Sequence, residues 1–259
     1  MTTQNSLKIN FNFNTNTFIS ECLKWNNKFI YPKSTRSIVN GSRHYSIDNS
    51  SLPSVTTILS ATKSEKDKAA LAAWKKRLGH KESERIKNDA SRRGTVMHTY
   101  LESFLLNKFN LELIEEDNKA KKMAEEIIDN GLKKNLSEIW GAESTLYYPG
   151  KYAGTCDCAG IYNNRESILD FKQKNKAARE EYIEDYFLQL GAYSLAHNTV
   201  YNSRITQGVI LLCTVDFLFQ EFIIEGNQLI EFQNKFLERV EQFYNQLSKG
   251  YYVFCSFIV

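Results

Sequence analysis

Apolar residues recur along this chain with two distinct periods, and the switches between them mark its elements. Over residues 82–106, Ala90, Gly94, Met97, Leu101 and Leu105 fall three or four apart, which predicts a long helix with one apolar face. Gly94 inside that helix costs about 1 kcal/mol against Ala, a cost that points to close packing. A shorter helix precedes it: Ser64-x-x-Asp67 supplies a capping box, an alanine-rich run follows, and Gly79 supplies the stop. Further helices are expected over 120–134, stopping near Gly131, over 181–196, and over 229–247. In the last, Leu229, Phe232, Phe236, Val240, Phe243 and Leu247 form one stripe. Period-two or β-branched runs predict strands at 143–148, 152–162, 167–173, 206–214 and 217–225. Helices, strands, helix, strands and helix in that order predict an α/β fold with a mixed central sheet flanked by helices.

The first 35 residues show little periodicity. Residues 36–47 read as a hairpin, because Asn40-Gly41 can supply the two positive φ angles of a type I′ turn. Pro53-Ser54 then punctuates before a short helix over 55–59, with Ser54 as its cap. The expected organisation is an N-terminal arm and hairpin, 1–50, followed by one main domain, 51–259.

Composition adds limits. The chain has 259 residues, 42% hydrophobic and 13% aromatic, enough for a substantial core. A net charge of +3 says little, but its distribution says more. From Lys63 to Arg93 there are eleven Lys/Arg against five Asp/Glu, and Lys172, Lys174, Lys176 and Arg179 form a second basic run. Such runs are either solvated faces or a groove that tracks phosphates. The five cysteines, Cys22, Cys156, Cys158, Cys213 and Cys255, are scattered and odd in number. With no secretory or transit-like N-terminus and no apolar run of about 20 residues, a reducing, soluble setting away from membranes is expected. Cys156-x-Cys158 lacks a second Cys or His pair at zinc spacing, so buried strand cysteines are expected there.

The chemistry concentrates in residues 151–172. With Asn163-Asn164 as a two-residue turn, strand pairing places Asp157 opposite Asp170 and Thr155 opposite Lys172. Opposed side chains have Cβ atoms about 4.5–5.5 Å apart. Leu169 and Phe171 then face the other way, into a core. Two carboxylates that close need a cation or a proton between them, and hard oxygen donors suit Mg²⁺ or Mn²⁺. The same pattern also fits an exposed hairpin with an ordinary Asp–Lys pair. His98 and Glu102, four apart, share a face of the long helix.

Gly94-x-x-x-His98, Gly154-x-x-Asp157, Asp170-Phe171-Lys172 and Gln189-x-x-x-Tyr193, in that order, resemble the motifs of the RecB-like branch of the PD-(D/E)XK nuclease superfamily. Leu52-Pro-Ser-Val-Thr-Thr-Ile-Leu59 and the spacing throughout look most like the mitochondrial genome maintenance exonuclease group and its stand-alone phage relatives. The resemblance implies a restriction-endonuclease-like core and a Mg²⁺- or Mn²⁺-dependent deoxyribonuclease acting on single-stranded DNA or DNA ends. It implies metal binding by His98, Asp157, Asp170 and the carbonyl of Phe171, with Lys172 polarising the attacking water. Gln189 and Tyr193 would help hold the strand, and Glu102 and Glu143 would support the metal ligands from behind; Arg92 and Arg93, one turn before His98 in the basic run, are expected nearest the scissile bond. Gln173 stands where many relatives have Thr or Ser. Only Cys213 and Cys255 lie late in the chain, so no iron–sulfur cluster is expected. The expected location is the cytoplasm, that of the host for a phage-encoded protein. A helicase, a polymerase or a single-strand-binding protein is the expected kind of partner. The alternative reading is a non-catalytic single-stranded DNA-binding module.

Overall fold

The computed structural model describes residues 23–108 and 118–255, the side chains of 249–255 aside. The expected arm therefore lies largely outside the described residues, as do Cys22 and the side chain of Cys255. A six-stranded sheet forms the centre, built from β1 (Lys24–Trp25), β5 (Leu136–Tyr148), β6 (Tyr152–Tyr162), β7 (Arg165–Lys174), β8 (Gln207–Thr214) and β9 (Phe219–Glu225), adjacent in that order. β1 runs parallel to β5 and β7 parallel to β8, while the other pairs are antiparallel. The sheet is thus mixed, as the element order predicts, and is consistent with a restriction-endonuclease-like core.

Helices cover both faces. On one, α1 (Val55–Ala61), α5 (Glu184–Tyr201) and α6 (Asn227–Cys255) bury Trp140, Tyr152, Ile168, Phe187 and Phe236. On the other, α3 (His80–Leu105) and α4 (Asn118–Ile127) bury Met97, Leu101, Met123, Leu169, Phe171 and Leu211. Alternation along β7 sends Ile168 to the first core and Leu169 and Phe171 to the second, which is the parity expected from the sequence. α2 (Glu65–Leu78) packs along α3 and buries none of its own residues.

Three expected details are corrected. Gly131 does not end its helix: α4 passes into a π turn (Ile128–Leu132) and a further helical turn (Lys133–Asn135). A Cβ on Gly131 would lie 2.9 Å from Leu211 Cδ1, so the glycine serves contact with the sheet instead. Gly94 is not forced by crowding either, since a Cβ there would meet Gln173 Cγ at an ordinary 3.7 Å. Leu247, placed on the core stripe of the last helix, is exposed, whereas Leu229, Phe232, Phe236, Val240 and Phe243 are buried as expected.

A second sheet of three strands lies apart, formed by β2 (Thr35–Val39), β3 (Ser42–Ile47) and β4 (Ser50–Pro53). Asn40 and Gly41, at φ 50 and 75, make the expected tight turn, but β4 was not legible. Tyr45, Ile47 and Leu52 pack on Ala153, and a bridge from Ser54 to Ala153 ties this small sheet to β6. Ser54 also caps α1, its hydroxyl accepting from Thr57 N at 3.0 Å. Ser54→Ala is expected to cost about 1 kcal/mol, read as a lower midpoint in chemical denaturation. An unchanged midpoint would show that the cap contributes nothing.

Candidate metal-binding active site

The β6–β7 hairpin sets the site. Tyr162 pairs with Arg165 across Asn163 and Asn164, at φ 50 and 60, and the ladder continues to Cys158 with Leu169. Asp157 and Asp170 are next in that register, where the two strands part. Asp157 turns across the gap, and its Oδ2 accepts from Phe171 N at 2.6 Å. Beside it, Lys172 Nζ lies 2.5 Å from Asp170 Oδ2 and donates to Gln189 Oε1 at 3.2 Å. Asp170 Oδ2 is fully buried and receives no hydrogen bond of good geometry.

α3 and β5 complete the cluster. His98 Nδ1 is 3.5 Å from Asp157 Oδ1 and 3.7 Å from Glu143 Oε1. Donor atoms of His98, Glu143 and Asp157 all lie within 4.8 Å of one another, a spacing that can hold a metal ion. Glu143 reaches inward because β5 is irregular. Its register shifts between Leu136 and Glu138 and again between Ile139 and Gly141, and Glu143 itself sits at φ 47. A non-glycine residue at positive φ inside a strand is uncommon, and such strain gathers at functional sites.

Burial and mutual attraction shift the groups of this centre in opposite directions. Burial raises the pKa of Asp170 to about 6 despite the pull of Lys172. Burial likewise raises that of Asp157, against the opposing effects of His98 and Lys172. For His98, burial disfavours the charged ring, but Asp157 and Glu143 outweigh it and push the pKa up to about 9. Lys172 is desolvated too, yet Asp170 and Asp157 hold it above the usual lysine value. The two carboxyls are thus held, against the cost of burial, by the Lys172 ammonium and the His98 ring beside them.

Other predicted residues fall in different places. Gln189 and Tyr193 are buried on α5, with Gln189 Nε2 donating to the Tyr193 hydroxyl at 3.3 Å, so their polar atoms serve each other and Lys172. A Cβ on Gly154 would come within 2.7 Å of the Tyr193 ring, which explains a glycine there. Glu102 borders the cleft, and burial followed by the charge of Glu143 raises its pKa. Arg92 and Arg93 are not among the residues lining the cleft. Arg93 instead donates to Gln173 Oε1 at 2.9 Å and to Asn175 Oδ1 at 2.6 Å. Gln173 Nε2 in turn donates to Ala90 O at 2.9 Å, so Gln173 braces β7 against α3. Cys156, Cys158 and Cys213 are buried free thiols. Two charged cleft residues stand outside the expected set: Arg36 and Arg43 of the small sheet line the same cavity, about 730 Å³ in volume.

Fold and cleft together define an α/β protein with a buried acidic centre that also holds a histidine and a lysine. The curated relatives that the chain matches are named as exonucleases. The chain is 26% identical over 209 residues to mitochondrial genome maintenance exonuclease 1 of Xenopus tropicalis, covering 75% of this chain and 58% of that protein. It is 26% identical to the Homo sapiens protein of that name and 28% to the Mus musculus one, covering 64% and 66% of this chain. This chain spans about half the length of the curated relatives it matches. No family model matches it. The solved structure of SSO0001 aligns with 57% of this chain and 73% of that one at 13% identity and a TM-score of 0.29. No helix among the described residues is long and apolar enough to cross a membrane.

Proposed function

We propose that this chain is a divalent-metal-dependent nuclease of the RecB-like PD-(D/E)XK type, hydrolysing phosphodiester bonds in DNA at single strands or ends. The observation that carries the reading is the buried Asp170–Lys172 ion pair set beside the His98–Glu143–Asp157 donor group in an open cleft. One imidazole and several carboxylates, with the Phe171 carbonyl nearby, are a donor set that fits Mg²⁺ or Mn²⁺. His98, Asp157 and Asp170 would hold the ion, and Glu143 joins them from β5. Bound there, the ion supplies a nucleophilic water at neutral pH and neutralises charge on the phosphate.

The chain's own residues do the rest. Phe171 N–H fixes the Asp157 carboxylate, and Gln189 and Asp170 aim the Lys172 ammonium along the cleft floor. From that position Lys172 orients the attacking water and stabilises negative charge as it grows on the phosphoryl oxygens. Tyr193, through Gln189, keeps the lysine from swinging into solvent.

The test uses end-labelled single- and double-stranded oligonucleotides with the purified chain. Cleavage is expected with Mg²⁺ or Mn²⁺ and none in excess EDTA, while Ca²⁺ binds without supporting turnover. Binding of any of these ions should also raise the unfolding temperature, by about 2.7 kcal/mol of stability at a hundredfold excess over Kd. Undiminished cleavage in EDTA would remove the metal from the mechanism. Strand binding with no cleavage under any cation would favour the non-catalytic module.

A further inference from the structure

The small β2–β4 sheet leans over the acidic cleft and carries the arginines that line it. Arg36 Nη2 donates to Thr155 Oγ1 at 3.0 Å, and its guanidinium lies 5.7 Å from the Tyr45 ring centroid. The Tyr45 hydroxyl meets the same Thr155 oxygen at 3.1 Å. Thr155 stands two residues before Asp157 on β6, so Arg36 is held roughly 7 Å along the strand from the metal-ligand position. Arg43 is pinned from behind, where its carbonyl accepts from Ser54 N at 2.9 Å and Thr57 Oγ1 at 3.0 Å. Both side chains are exposed, and among the described residues neither forms a salt bridge. Beyond Arg36 the cleft passes into a second depression of about 530 Å³, bordered by Lys33, Ser34, Ser144 and Thr145. Arg36, Glu143 and Thr155 belong to both hollows.

We propose that Arg36 and Arg43 grip the backbone phosphates of a single nucleic-acid strand, and that the strand runs from the acidic centre past Arg36 into the second depression. The inference rests on the nuclease reading of the cleft. Its physical basis is a division of labour. Charge at the scissile phosphate is met by the metal site and Lys172, whereas the flanking phosphates need fixed cations with free donors. An arginine held by a threonine and an aromatic ring keeps part of its planar fork for a phosphate at little entropic cost. The neighbouring hollow, with hydroxyls and a lysine, suits a sugar–phosphate backbone better than an apolar ligand.

The experiment compares the wild type with R36Q/R43Q and with R36K/R43K. Binding of a labelled single-stranded DNA oligonucleotide is measured in Ca²⁺ at several salt concentrations. The Gln pair should lower the slope of log K against log salt by about 1.4, and the Lys pair should restore it. With Mg²⁺, the preference for a long strand over a dinucleotide with one phosphodiester, as a ratio of kcat/KM, should fall at least tenfold in R36Q/R43Q. Parallel salt lines, or equal losses on both substrates, would overturn the inference. Because binding is read without turnover, a flattened slope in a protein that cuts nothing would sink the nuclease reading and leave the phosphate grip standing.

Discussion

Lys172→Met is expected to slow cleavage by about 10³-fold while strand binding stays within a few fold. Asp170→Asn should do the same. Position is the reason: Lys172 Nζ lies between Asp170 at 2.5 Å and Gln189 at 3.2 Å, buried in the lining of the cleft beside the donor cluster. Affinity for a long strand is spread over contacts to many phosphates, so removing one buried charge takes little from it. It takes an ammonium held at the centre, and a preorganised charge in a dry site is worth far more than one in water. Methionine keeps the aliphatic stem and the volume, so packing against Tyr186, whose ring centre is 5.0 Å from the ammonium, is largely kept. Removing the lysine leaves Asp157 and Asp170 without the ammonium that stabilises their charge, so the variant should be assayed metal-loaded, with its fold checked by circular dichroism. Turnover near the wild-type rate in either variant would place the reaction elsewhere.

Gly160→Ala is expected to destabilise the fold by about 3 kcal/mol, seen as a shifted denaturation midpoint. Gly160 lies on β6, paired with Ile139 on one side and Ser167 on the other. A Cβ there would sit 2.0 Å from the Glu138 carbonyl oxygen and 3.2 Å from Ile139 Cα. Both obstacles are backbone, so no rotamer change can relieve them, and β5 would have to move off its neighbour. The contact exists because β5 is bulged at this point. Straightening those bulges would also withdraw Glu143 from His98 and Asp157, so metal affinity should fall with stability. A midpoint within about 0.5 kcal/mol of wild type would mean the bulge yields freely.

How much of this was legible in the sequence depended on the range of the interactions involved. The β6–β7 hairpin was readable because its turn and its alternation are local: two asparagines take positive φ, and parity does the rest. The helix caps at Ser54 and Ser64 were readable for the same reason. Glu143 could be flagged near the site but not placed among the donors, since that depends on bulges created by contact between two strands. Arg92 and Arg93 are near His98 along the chain but not around the helix. They stand six and five residues before His98, roughly 240° and 140° around a helix from it. Ser91, Gly94 and Thr95, which do line the cleft, follow the spacing of seven, four and three that shares a face. The arginines of the small sheet were invisible because nothing local says that a hairpin a hundred residues upstream folds back over β6.

The left-handed backbone at Glu143 has an evolutionary consequence. Glycine would adopt φ 47 without penalty, while a glutamate there raises the energy of the folded chain by about 1 kcal/mol. Selection for thermal robustness alone would therefore drift toward glycine at 143, and selection for turnover would hold the acid in place. The two pressures oppose each other at one codon, which makes the residue at this position a marker of whether a sequence of this kind is still kept for its chemistry or only for its shape.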